Sequence, residues 1–417
     1  MLDTFYIWTI GCQMNKSEST QLADRLEDRG YQRVADAESA SLIILNSCVV
    51  RASAEKRVIN KLQALKALKK NNPQIKIALT GCIVGPDTNG LNTAFPYVDY
   101  FFPPGKVPNW VAAPGGVRNL PRNPQVSSLV PIMQGCNNYC SYCIVPYRRG
   151  RETSRSPVDI IKEVTSLVAG GTKEVTLLGQ NVNSYGQGLE EPSDLAGLLH
   201  QLNSLAGLER IRFLTNHPKD MQTRLIDAIA RLDKVCEQIN LPVQSGDDDI
   251  LQAMRRGYSA GHYRELIAEI RARIPGIALS TDVIVGFPGE TLTQFNHTAA
   301  LLADLRFDVV HVAAYSPRAE TLAARTLPDD VPLPVKQSRL QQIEKMQAEI
   351  AFAINSQLMG KVVEVLVEGS QKNRWFGRTR GDKIVFFNTP GDLQGRLVNV
   401  RITRTGAWSL SGRAELI

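Results

Sequence analysis

The chain has 417 residues, 43% hydrophobic and 21% charged, ordinary for a folded protein that can hold two to four domains with substantial cores. Seven cysteines are too few for a secreted disulfide scaffold and no apolar run is long enough to span a bilayer, so a reducing cytoplasmic setting without a membrane is expected. A formal charge of +7 hints at an acidic partner, and its location matters more than its size.

Met1-Leu2-Asp3-Thr4 carries no basic leader, so no signal peptide is expected. Phe5 to Ile10 reads as a strand ending at Gly11-Cys12, and Asn15-Lys16-Ser17-Glu18 reads as a capping box opening a helix that runs to Gly30. The pattern then recurs. Ser41 to Asn46 is a second strand, followed by Ser47-Cys48 and a helical pattern over Ser53 to Lys70, and Ile75 to Thr80 is a third strand running into Gly81-Cys82. Cys12, Cys48 and Cys82 therefore all stand just past strand ends in successive βα units. In a parallel sheet those loops share one edge, so the three thiols are expected to converge into a cluster site. The alternative is three ordinary buried cysteines. The Pro/Gly-rich passage from Pro103 to Pro124 reads as a linker.

Leu129 to Met133 reads as a strand entering Gly135-Cys136-Asn137-Asn138-Tyr139-Cys140-Ser141-Tyr142-Cys143. A cubane iron–sulfur cluster takes one Cys at each of four irons, so a compact loop with three cysteines leaves one iron open. A zinc site would need a fourth ligand, and no His lies near the loop in sequence. Further strands are expected at Glu174–Leu178, Arg210–Phe213, Glu237–Leu241, Ala278–Val285 and Val309–Ala314, with helices between them. Six strand–helix units suggest a full or partial barrel whose site lies at the carboxyl ends of the strands. Gly179-Gln180-Asn181, Asn216-His217-Pro218, Gln244-Ser245-Gly246, Gly286 to Glu290 and Tyr315-Ser316-Pro317 fall at those ends and are expected to ring one cavity, although each is also turn chemistry. His217 could move protons or simply hold structure, and Cys236 reads as an apolar filler. Arg148, Arg149, Arg151 and Arg155 form a basic run that could hold phosphates.

From Lys361 onward five short β runs suggest a small antiparallel barrel. Ten Lys or Arg against five acids place +5 of the +7 in this tail. Lys372, Arg374, Arg378 and Arg380 interleave with Trp375 and Phe376, a mixture suited to phosphates and unpaired bases, so RNA is the expected partner.

The Cys-x-x-x-Cys-x-x-Cys spacing is similar to that of radical S-adenosylmethionine enzymes, and along essentially its whole length the chain resembles their methylthiotransferase family. The resemblance is carried by Thr9 to Asn15, Asn46 to Arg51, Thr80-Gly81-Cys82, the loop from Cys136 through Glu152, Leu178 to Asn183, Leu241 to Gly246 and Asp282 to Glu290. It implies an N-terminal methylthiotransferase domain (1–123), a radical S-adenosylmethionine domain (124–357) built as a partial (β/α)6 barrel, and a C-terminal TRAM RNA-binding barrel (358–417). It further implies two 4Fe-4S clusters, one on Cys136, Cys140 and Cys143 and one on Cys12, Cys48 and Cys82. The first would cleave S-adenosylmethionine to a 5′-deoxyadenosyl radical, and the second would present a sulfur for methylation and transfer. Gln180, Asn181, Gln244, Ser245 and Asp282 are the expected cofactor contacts, from their strand-end placement. Gly11 to Asn15 and the Arg-rich run resemble the branch forming 2-methylthio-isopentenyladenosine beside the tRNA anticodon. The branch implies the tRNA anticodon stem-loop as partner and an electron donor such as flavodoxin or ferredoxin, with the protein acting as a monomer. Threonylcarbamoyladenosine, a ribosomal protein, or a non-catalytic iron–sulfur RNA sensor are the alternatives. Ile83-Val84-Gly85 and Thr215 depart from the family pattern.

Overall fold

Near-continuous apolar runs require burial on both faces, and the first third of the chain meets that requirement with helices on each side of a parallel sheet. The computed structural model describes residues 3–49, 52–111 and 124–415. Val50, Arg51, most of the expected linker (112–123) and the expected boundary at Asn123 lie outside the described residues. Strands β1 (Thr4–Thr9), β2 (Gln32–Arg33), β3 (Leu42–Ser47), β4 (Lys76–Gly81) and β5 (Tyr100–Phe101) run in the order β2-β1-β3-β4-β5, all parallel. Ile43, Leu45, Ile77 and Leu79 pack with Val58, Leu62 and Leu65 of the helix Ala52–Asn71, while Phe5, Ile44 and Ala78 pack with Leu22 and Leu26 of the helix Gln13–Asp28.

The first helix starts earlier than the sequence suggests. Cys12 is its N-cap, and Asn15 Oδ1 accepts the Cys12 backbone N–H at 3.3 Å, so the box is Cys12/Asn15 rather than one opening at Asn15. The buried Asn15 side chain also donates to Asn46 Oδ1 at 2.8 Å, which seats the helix start on β3. The two short edge strands β2 and β5 carry no periodic signal of their own; pairing with β1 and β4 makes them strands.

The central segment holds β6 (Ser127–Pro131), β7 (Met133–Gln134), β8 (Thr153–Ser154), β9 (Glu174–Leu178), β10 (Arg210–Phe213), β11 (Gln238–Asn240), β12 (Ala278–Val285) and β13 (Val309–Ala314). The parallel triplets β6-β9-β10 and β11-β12-β13 meet through a parallel bridge between Ile211 and Val235, giving the expected six-stranded partial barrel. The small antiparallel pair β7–β8 closes the root of the cysteine loop.

The tail closes into a barrel of β14 (Val362–Gln371), β15 (Arg374–Arg378), β16 (Ile384–Asn388), β17 (Leu397–Thr405) and β18 (Leu410–Ala414) around Val365, Val385, Phe387, Val400 and Ile402. The β16–β18 seam is parallel and the other four are antiparallel. This barrel docks on the amino ends of the central strands. Arg210 and Arg212 of β10 donate to the carbonyls of Arg378, Thr379 and Arg380, each at 2.7 Å. Arg380 pairs with Glu237 at 2.7 Å, and Lys383 pairs with Asp308 at 2.6 Å. Arg380 belongs to the interdomain seam and Arg378 pairs with Asp382 and Glu368 at its border, because β15 runs toward the central barrel and ends against it. Among the described residues no helix is long and apolar enough to cross a membrane.

Candidate active site

At the carboxyl edge of the N-terminal sheet, the loops after β1, β3 and β4 bring Cys12, Cys48 and Cys82 together. A Cβ placed on Gly11 would lie 2.9 Å from the Cys48 Cβ, and one on Gly81 would lie 2.2 Å from the Ser47 carbonyl oxygen. Each glycine thus permits the approach that aligns its neighbouring cysteine. Burial pushes the Cys82 thiol up to about 11, with the charges of Cys48 and Cys12 adding to the rise.

The second trio sits in the loop between β7 and β8. Gly135 opens it at φ +81°, where a Cβ would collide with the Arg151 carbonyl 2.1 Å away, so only glycine lets the two ends of the loop cross. Gln180 Oε1 accepts the Gly135 N–H at 2.6 Å, Ser141 is tied to Met254 and Ala253 carbonyls, and Tyr139 is held left-handed at φ +47°. Burial pushes the Cys143 thiol up to about 12, and the charges of Cys140 and Cys136 contribute. All seven cysteines are free thiols.

Both trios pass the same test of fit. Three ionised thiolates at such close quarters repel one another, and a cationic metal group between them would offset that repulsion, since metal ligation requires the deprotonated form; Cys48, Cys82, Cys136 and Cys140 are buried, while Cys12 is exposed. Among the described residues no three His, Cys, Asp or Glu side chains are placed to grip a single metal ion. The trios are also neighbours. Ile144, next after Cys143, packs in one apolar cluster with Cys82, Ile83 and Val84, and Tyr147 joins its edge. A Cβ on Gly85, one of the departures from the family pattern, would meet the end of the Arg148 side chain at 2.2 Å and would require only that flexible guanidinium to shift.

Around the loop of Cys136, Cys140 and Cys143 stand the strand-end clusters. Asn181 is buried and donates to Asp220 at 2.7 Å, leaving its Oδ1 unpartnered. Asn216 Oδ1 and His217 Nε2 are likewise buried without partners, which leaves three unpartnered polar atoms on the strand-end loops of the barrel. Asp282 on β12 is half-buried and accepts from Asn240 at 3.0 Å. Gln244 and Thr215 sit at φ +72° and +71°, a conformation costly for side-chain-bearing residues that concentrates at functional sites. Ser245 differs from expectation. Its hydroxyl contacts Thr298 at 3.2 Å and accepts the Asp247 N–H at 3.2 Å, so it is committed to the turn against the helix Leu292–Leu305. Gln180 likewise holds the loop's root.

Two buried arginines were not evident from sequence. Arg256 donates to the Cys140 sulfur at 3.3 Å, the Pro242 carbonyl at 2.8 Å and the Tyr258 hydroxyl at 2.9 Å. Arg149 pairs with Glu18 at 2.6 Å. Of the expected basic run, Arg148 pairs with Glu320 and Arg155 with Glu163, while Arg151 stacks over Tyr139 at 4.9 Å. The run is mostly structural.

His217 is no acid at working pH. Burial, Arg256 and Lys219 hold it down at about 2, and its Nδ1 accepts the Lys219 N–H, so the ring proton sits on Nε2. The unfolded chain takes up a proton at this residue near pH 6.5 and the folded one does not, so stability falls as pH drops through that window. The expected slope is about 1.4 kcal/mol per pH unit below about 6.5, and His217→Gln should remove it from urea titrations at pH 5.5 against pH 7.5.

Comparison with known proteins gives a consistent picture. The family model "Radical SAM superfamily" matches residues 130–302, "Uncharacterized protein family UPF0004" matches 4–103, and "TRAM domain" matches 357–414. A protein of Dehalococcoides mccartyi (strain CBDB1), named tRNA-2-methylthio-N(6)-dimethylallyladenosine synthase, is 54% identical over 98% of both chains. A protein of Chloroflexus aurantiacus with the same name is 47% identical, over 99% of this chain and 91% of its own. Among solved structures, the radical S-adenosylmethionine methyltransferase TsrM of Kitasatospora setae matches at TM-score 0.54 and 15% identity, over 78% of this chain and 74% of its own, a likeness of fold alone.

Proposed function

The chain belongs to the radical S-adenosylmethionine methylthiotransferase family, and from that premise we propose that it methylthiolates carbon 2 of isopentenyladenosine beside the anticodon of tRNA. The observation that carries this reading is the adjacency of two three-thiol sites, joined through the packing of Ile144 against the shell of Cys82. We assign residues 1–123, 124–357 and 358–417 to the methylthiotransferase, radical and RNA-binding domains. When bound, a 4Fe-4S cluster on Cys136, Cys140 and Cys143 with S-adenosylmethionine supplies the radical that an unactivated aromatic C–H bond demands, and a second on Cys12, Cys48 and Cys82 supplies sulfur.

The chain's own groups divide the remaining work. Asn181 Oδ1, Asn216 Oδ1 and the His217 Nε2–H offer two acceptors and one donor to the cofactor, with Gln244 and Asp282 nearby on the rim and in the wall. Gln180 acts by fixing the root of the cysteine loop. Lys372, at the exposed β14–β15 turn, and Arg374 beside it form the RNA-facing part of the tail, whereas Trp375 packs against the barrel core and donates its indole N–H to the Thr389 carbonyl at 3.2 Å. The setting is the reducing cytoplasm, with a flavodoxin or ferredoxin as electron source and the protein monomeric.

Nucleoside mass spectrometry of tRNA from cells with and without the protein tests this directly. A methylthio mass increment on isopentenyladenosine only in its presence is expected, and identical spectra would refute the reading. For the tail, Lys372→Ala and Arg374→Ala should each weaken tRNA binding and lower the salt slope by about one unit. Arg380→Ala should instead loosen the barrel seam and leave that slope unchanged, as read from binding at several salt concentrations.

A further inference from the structure

Arg149 stands six residues after Cys143, on the short helix Val145–Arg149 that leaves the cysteine loop, yet its guanidinium points into the N-terminal domain. Its side chain is 2% exposed, and it grips Glu18 with two bonds, Nη1 to Oε1 at 2.6 Å and Nη2 to Oε2 at 3.3 Å. Glu18 lies six residues after Cys12 on the helix that Cys12 caps. The clip therefore holds the Arg149 charge against the helix whose N-cap is Cys12.

A buried ion pair is weak evidence for stability, because desolvation offsets the attraction. Domain adhesion alone does not call for it, since Ile144 and Tyr147 already join the two cores through apolar contact. What an apolar contact cannot supply is a permanent positive charge held at the helix that Cys12 caps. The potential of an iron–sulfur cluster depends on its net charge and surroundings, so a cation there favours the reduced, more negative state.

We propose that Arg149 is a positioning residue for the N-terminal cluster: carried by the helix that leaves the other cysteine loop, it is clipped by Glu18 to the helix that Cys12 caps and sets the charge balance of that cluster. One short segment thereby fixes both the distance and the electrostatic relation between the two sites. The proposal rests on the reading that Cys12, Cys48 and Cys82 hold a cluster.

The test uses the full chain in a Cys136/Cys140/Cys143→Ala background, reconstituted anaerobically, so that only the N-terminal cluster remains. Iron counts of about four per chain establish that cluster, since a cubane holds four irons. Potentiometric titration read by electron paramagnetic resonance should then place Arg149→Gln at a more negative potential than the parent and Glu18→Gln at a more positive one. Arg149→Lys, which keeps the charge but loses the fork, should fall between Arg149→Gln and the parent. Opposite shifts in the two single variants distinguish charge tuning from loss of packing, which would move both the same way. If iron is held and the two shifts are absent or share a sign, the proposal fails while the cluster reading stands. If the background holds no iron, both fail.

Discussion

Cys140→Ala is expected to abolish reductive cleavage of S-adenosylmethionine, whereas Cys12→Ala is expected to retain cleavage and lose the methylthiolated product. The asymmetry follows from placement. Cys140 lies in the β7–β8 loop with Cys136 and Cys143, and its sulfur accepts a bond from Arg256. Cys12 caps a helix in the other domain and shares charge with Cys48 and Cys82 instead. For Cys140→Ala, 5′-deoxyadenosine formation should fall by at least about 10³-fold, toward the uncatalysed background from which enzymes gain about 10⁶ or more. For Cys12→Ala, 5′-deoxyadenosine should continue to form from reduced protein while nucleoside mass spectrometry finds no methylthio group. Product from either variant, or loss of cleavage in both, would contradict a division of labour between the trios.

Arg212→Ala is expected to be the most destabilising single change away from the cysteines, at about 3–5 kcal/mol. Arg212 and Glu174 are 4% and 3% exposed and pair at 2.8 Å at the foot of the barrel, where Arg212 also donates to the Thr379 and Arg380 carbonyls at 2.7 Å. Truncation strands a buried carboxylate and two carbonyls, and it unfastens the tail barrel at the same time. The measurement is the urea midpoint of the full chain followed by tail tryptophan fluorescence and by circular dichroism. The two probes should separate in the variant as the tail loosens first. Arg212→Met combined with Glu174→Met should recover much of the loss, because paired apolar replacement removes the uncompensated charge. A midpoint unchanged by Arg212→Ala would show that the seam is held elsewhere.

Much of this architecture was legible in the amino-acid order. Each cysteine of the N-terminal trio follows a strand, and topology alone brings such loops to one edge, so Cys12, Cys48 and Cys82 could be grouped before any coordinate was known. The five tail strands are short, alternating and separated by turn residues, and they close as expected. What stayed hidden depends on partners distant in sequence. Arg149 and Arg256 are indistinguishable on paper from solvated arginines, and only packing reveals that one meets Glu18 and the other Cys140. Arg380 shows the converse, since its basic, aromatic-rich neighbourhood suggested RNA, while Glu237, 143 residues away, claims the side chain. Ser245 was placed at the right strand end but faces the packed helix, a choice that Thr298 decides and residue order does not. The left-handed Tyr139, Thr215 and Gln244 gave no signal either, because no glycine marks them.

The most direct measurement is iron and sulfide quantitation with Mössbauer spectroscopy on anaerobically prepared wild-type protein and on the two triple Cys→Ala variants. Two cubane sites require about eight irons per wild-type chain and about four in each variant. A wild-type chain saturating at about four irons, with one variant empty and the other unchanged, would contradict the paired sites.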